Sequence, residues 1–140
     1  MKGKTLTTSL QIIVVDFEYA APNAAAFDVA NHFHEWTSDY HGPDPATLEP
    51  ALYPSAPQRR NFYEAYLSVV NSEVPVTDLQ LDELDAQVRA WSPASHGMWA
   101  LWGVVQAREQ LEGAEADFDY IAYARCRFRL FEQELARLGV

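Results

Sequence analysis

Asp16 and Glu18 stand directly behind the apolar run Ile12–Val15. A carboxylate at the carboxyl end of a buried strand is well placed to hold magnesium, a hard cation that takes oxygen ligands and keeps several waters. An acidic residue there can also simply mark where a strand surfaces. Trp99 and Trp102 are three residues apart, hence neighbours on one helix face, and Tyr120 and Tyr123 repeat the spacing. A wall of indoles and phenols attracts a quaternary ammonium through cation–π contacts worth about 0.5–2 kcal/mol each, and Glu35 would add charge compensation. Aromatic pairs at this spacing also build ordinary core. His34, Glu35 and His41 do not make an HExxH or comparable zinc pattern, and Asn31 and His32 read as polar groups satisfied by their neighbours. Neither a GxxxxGK phosphate loop nor a kinase-type glycine-rich loop occurs, and the lysines are Lys2 and Lys4 alone.

The elements that must position these groups are mostly helical. Leu10–Val15 is a β-branched run ending at Asp16, the pattern of a buried strand. Its hydrogen-bonding partners must lie elsewhere, because a lone strand cannot satisfy its own backbone. Phe27, Ala30, Phe33 and Trp36 then repeat at helical spacing, after a turn at Pro22 and Asn23. Residues 42–57 hold five of the eight prolines and read as a loop. A second helix is expected over Gln58–Asn71, with Phe62, Tyr66, Val69 and Val70 on one side. Thr77 and Gln80 form a capping box for a third, whose apolar face is Leu81, Leu84, Val88 and Trp91. Ser92-Pro93 reads as the cap and first position of a fourth, ending at Gly113. Met98–Val105 is apolar nearly all round, which predicts burial on several sides. A last helix from about Asp117 carries the stripe Tyr120, Ala124, Phe128, Phe131, Leu135 and Leu138, with Arg125, Arg127 and Arg129 mainly outside it.

Composition narrows the partners. The chain has 140 residues, 49% hydrophobic and 13% aromatic, with a net charge of −10. That is enough apolar material for a core and the wrong sign for nucleic acid or anionic membrane surfaces. Cys126 is the single cysteine, so no internal disulfide forms, and its place in a helical pattern suggests a small buried side chain. No run is long enough to cross a bilayer and Met1–Lys4 lacks a signal peptide's apolar stretch, so a soluble cytoplasmic protein is expected.

Three motifs in order give a resemblance. Val15-Asp16-Phe17-Glu18-Tyr19, Asn23, and Phe27-Asp28-Val29-Ala30-Asn31-His32-Phe33-His34-Glu35-Trp36 resemble the D-F-E-Y and F-D-x-x-N-H-F-x-E-W signatures of the choline/ethanolamine kinases. Ser95-His96 through Trp99, Trp102, Gln106 and Ala107 resembles the family's S-H-x-x-W-x-x-W-x-x-x-Q-A. Phe118, Tyr120, Tyr123-Ala124 and Arg127-Phe128 resemble its F-x-Y-x-x-Y-A-x-x-R-F. The resemblance implies a mainly α unit, the helical C-terminal lobe of a protein-kinase-like fold with one or two short N-terminal β-strands. It implies ATP- and magnesium-dependent phosphorylation of choline or ethanolamine in phospholipid biosynthesis. It assigns Asp16 and Glu18 to the metal, and Glu35, Tyr40, Trp99, Trp102, Phe118, Tyr120 and Tyr123 to the amino-alcohol pocket. Family members also carry an upstream nucleotide-holding lobe and a catalytic His-x-Asp…Asn loop, which do not appear in these 140 residues. The expectation is therefore a single partial domain, inactive alone. The alternative is a non-catalytic choline-binding or interaction module that pairs with a full-length kinase, and a bare lobe face would favour homo- or hetero-association.

Overall fold

The computed structural model describes residue 13 and residues 15–71, 74–113 and 117–140. It is mainly α: α1 (Ala25–Glu35), a 3-10 turn (Pro50–Leu52), α2 (Ala56–Val70), α3 (Asp78–Gln106), α4 (Arg108–Leu111) and α5 (Tyr120–Leu138). Among the described residues the β pairing is one isolated antiparallel bridge, Ser38 to Leu48, across the proline-rich segment. Most of the expected strand Leu10–Val15 lies outside the described residues. Its described members, Ile13 and Val15, belong to no strand and are more than two-thirds exposed, which corrects the expectation of burial.

The caps act where the sequence puts them. The Thr77 hydroxyl accepts from the Gln80 amide and the Gln80 side chain accepts from the Thr77 amide, which starts α3. Gln58 Oε1 accepts from the Ser55 amide to start α2, and Asp119 accepts from the Ala122 amide to start α5. Gly139 ends α5 at a left-handed φ of 79°.

The third and fourth helices expected from Ser92-Pro93 are one helix. Pro93 sits inside α3, and the Ser92 hydroxyl, 2.8 Å from His34 Nε2, bonds across to α1 instead of capping a new start. Both residues are buried, so tertiary packing holds the helix through a proline that would otherwise break it.

The core has two patches along α3. Ala26, Val29, Ala30 and Phe33 of α1 meet Tyr63 of α2 and Leu81, Leu84 and Val88 of α3. Further along, Ala46 and Leu48 meet Tyr123, Cys126 and Leu130 of α5. α2 therefore buries Tyr63, not Val69 and Val70, which are exposed. Leu101, Val104 and Val105 are likewise exposed, because α1 and α5 both pack on the other side of α3 and no described residue covers this one. α3 and α5 run antiparallel and close: a Cβ on Gly103 would lie 3.1 Å from Tyr123 Cδ1 and from Ala124 Cβ. The absence of a side chain there sets the depth at which Tyr123 enters the molecule.

Candidate functional site

One cavity of about 470 Å³ is lined by Glu35, Tyr40, Trp99, Trp102, Phe118, Tyr120 and Tyr123. Those are the seven residues the resemblance assigns to the pocket, drawn from α1, the loop after it, α3, the segment before α5 and the first turn of α5. Trp99 and Trp102 meet edge to face at 5.3 Å between centroids, as their spacing on one helix requires. Trp102 in turn packs edge-on against Tyr120 at 5.6 Å and Tyr123 at 6.1 Å, and Phe118 bridges those two tyrosines. Each T-shaped contact sets the positive edge of one ring on the negative face of another, and a ring face left uncovered presents negative π charge.

Both indole N–H groups and both Glu35 oxygens of the wall are already engaged. Trp99 Nε1 donates to Asn31 Oδ1 at 2.5 Å, and Trp102 Nε1 donates to the Tyr19 hydroxyl at 2.9 Å. The Tyr40 hydroxyl donates to Glu35 Oε2 at 2.8 Å, and Arg127 Nη2 donates to Glu35 Oε1 at 2.9 Å. Burial raises the Tyr40 phenol and pushes Tyr123 up to about 12, so both stay neutral at physiological pH.

Arg127 is the residue the sequence misplaced. It is fully buried in the helix face that the stripe of Phe and Leu was expected to own, while Phe128 is half exposed. Its fork donates Nε to the Tyr123 hydroxyl at 3.0 Å, Nη1 to His96 Nδ1 at 3.3 Å and Nη2 to Glu35. The guanidinium also lies 5.2 Å from the Tyr123 ring centre. Buried charge persists when it is paired and its donors are satisfied, and here three partners from three elements do that. Charged residues are rarely fully buried, so periodicity alone gave no signal for it.

Behind Arg127 lies a second unforeseen feature. His34 and His96 are buried and stack at 3.8 Å with planes 14° apart. Desolvation, with the nearby Arg127 charge, lowers His34 to about 3; desolvation, His34 and Arg127 lower His96 to about 2. Both rings are neutral. With Glu134 they form the one His/carboxylate group of metal-ligand dimensions among the described residues. The hydrogen bonds, however, use the lone pairs a metal would need. Ser95 Oγ donates to Asn31 Oδ1, so it accepts from His34 Nδ1–H, leaving His34 Nε2 to accept from Ser92. Arg127 can only donate, so His96 Nδ1 accepts and His96 Nε2 carries the proton. The cluster does not fit a metal centre.

Asp16 and Glu18 are exposed, and neither makes an ion pair among the described residues. Asp16 adopts a left-handed φ of 69°, a conformation aspartate tolerates better than most residues. Tyr19, whose ring packs on both Trp99 and Trp102, ties this segment to the cavity mouth. Asp16 is three residues from Tyr19, hence within about 10 Å along the chain. Exposed carboxylate oxygens of this kind suit a partly hydrated magnesium ion.

Residues 4–132 match the family model for choline/ethanolamine kinase. The chain belongs to the choline/ethanolamine kinase family. It is 36% identical over 120 residues to probable choline kinase 2 of Arabidopsis thaliana, covering 86% of this chain and 33% of that protein. It is 34% identical to choline kinase of Schizosaccharomyces pombe over 92% of this chain and 39% of that one. To the human choline/ethanolamine kinase it is 32% identical over 91% and 33% respectively. The chain thus spans a third or a little more of the length of these relatives, and its helical architecture fits the helical lobe of their fold. Among the described residues, no helix is long and apolar enough to cross a membrane.

Proposed function

We propose that this chain is the amino-alcohol-binding part of a choline/ethanolamine kinase. Trp99, Trp102, Phe118, Tyr120 and Tyr123 supply the cation-attracting faces, and Glu35 and Tyr40 close the rim. The observation that carries this reading is the convergence of the seven residues assigned by the resemblance on one aromatic cavity with a carboxylate at its edge. A quaternary ammonium needs no hydrogen-bond partner, so a wall whose indole N–H groups and carboxylate oxygens are already occupied suits it. Glu35 shares its charge with Arg127, so the carboxylate adds a residual attraction and the ring faces provide most of the hold.

Asp16, with Glu18, is the group we assign to magnesium; the ion would offset phosphate charge when ATP is bound. Phosphoryl transfer rests on positioning and charge stabilisation by several groups together. These 140 residues contain no His-x-Asp motif and no glycine-rich phosphate-loop motif, so binding without turnover is the expected behaviour. Calorimetric titration with choline should give saturable binding that Trp102→Ala abolishes or weakens at least several-fold. The same chain with choline and ATP should make no more phosphocholine than its Asp16→Ala variant. Absence of choline binding would remove the pocket assignment, and Asp16-dependent turnover would remove the inactivity.

A further inference from the structure

A second cavity, of about 450 Å³, lies further along the α3–α5 seam, on the other side of the layer formed by His96, Arg127 and Glu35. In a chain with twice as many acidic as basic residues, three of the eight arginines line it: Arg59, Arg89 and Arg137. Arg59 and Arg89 share Asp85, at 2.9 and 3.1 Å. Arg137, exposed in the last turn of α5, has no ion-pair partner among the described residues. The carboxylate in the lining is Glu134. Counted with Asp85 and Glu134, the three arginines leave this cavity a net charge of about +1 in a chain of net charge −10.

Its floor presents a donor of fixed direction. Because Arg127 occupies His96 Nδ1, the proton of the neutral ring sits on Nε2, which makes no hydrogen bond among the described residues and lies 3.9 Å from Glu134 Oε1. Glu134 Oε2 is buried, and burial raises that carboxyl above its ordinary range against the lowering pull of Ser92 and Arg137. The remaining lining includes Pro50, Tyr53, Leu130 and Leu138, which offer apolar surface. His96 lines the cavity, so an acceptor brought in by a ligand can pair with its Nε2–H donor.

We infer that this cavity binds a small organic oxyanion, a phosphate monoester or carboxylate on an apolar body, held by Arg89 and Arg137 at the rim and by His96 Nε2–H at the floor. The body packs on Tyr53 and the two leucines. The inference is independent of the amine pocket, and its failure would leave that reading untouched.

The probes are phenyl phosphate and benzoate, titrated calorimetrically into the full chain at fixed ionic strength. Saturable binding of at least one is expected. Arg137→Gln and Arg89→Gln should each weaken it about tenfold, the scale of losing one charge-assisted contact. Both side chains are exposed, so neither substitution opens the core. Arg125→Gln, the same charge change at an exposed site on α5 outside the cavity, should leave affinity unchanged. Tighter phenyl phosphate assigns a phosphate monoester, and tighter benzoate a carboxylate. No saturable heat with either probe overturns the proposal. So does equal weakening by Arg125→Gln, which would mean unspecific attraction to surface charge.

Discussion

The two cavities along the α3–α5 seam are of similar size and opposite chemistry. One is walled by rings whose indole N–H groups are spent on neighbours. The other is rimmed by arginines and floored by two neutral imidazoles and a carboxyl group. A single side chain, Arg127, separates and serves both: it fixes Glu35 for the first and the His96 tautomer for the second. The contrast shows how one satisfied buried cation lets adjacent spaces in a small helical unit be polarised differently. It also says where the unit should break.

Acid should produce the largest effect, and on the polar side. His34 and His96 titrate at about 3 and 2 in the folded chain, below the ordinary value near 6.5. For a base with a depressed folded pKa, the unfolded chain binds the proton first. Stability is thus full above about pH 6.5 and falls as pH drops below it, by several kcal/mol in total. Urea midpoints measured from pH 7.5 down to pH 4 should fall steadily; a flat profile would mean the rings are not buried and neutral.

Removing the shared cation comes next. Arg127→Met should cost about 3–5 kcal/mol in urea unfolding, since it strands Glu35, the Tyr123 hydroxyl and His96 Nδ1 together. Arg127→Lys should recover only part of it, because an ammonium cannot match the three-way fork. Full recovery would show that charge alone matters. A smaller effect, confined to the aromatic side, is expected from Gly103→Ala. The added methyl presses on the Tyr123 ring and on Ala124, costing about 1–3 kcal/mol. Choline affinity should fall with it while phenyl phosphate affinity does not.

How much of this could be read from the sequence differs between the cavities in the same way. Helix starts at Thr77 and the proline-rich loop were legible because caps and prolines act locally. The aromatic lining was legible because Trp99/Trp102 and Tyr120/Tyr123 are helical neighbours inside ordered motifs. The polar cavity was not, since His34 and His96 are 62 residues apart in number and meet only through packing of α1 on α3. Ser92-Pro93 carried a true local signal for a helix start that tertiary contact overrode. The expected burial of Ile13 and Val15 and that of Leu101, Val104 and Val105 fail together. Apolar patterning reports what a segment would bury, and the described residues provide no cover for either.

The central claim is that ring faces, not a free carboxylate or mere apolar volume, hold a cation in the first cavity. Calorimetric titration of choline against 3,3-dimethyl-1-butanol, its neutral carbon isostere, tests that claim directly. Two good indole contacts predict choline binding tighter by about tenfold or more, with the difference shrinking in Trp102→Ala. Equal affinities for the two ligands, or a difference that survives loss of the indole, would contradict it.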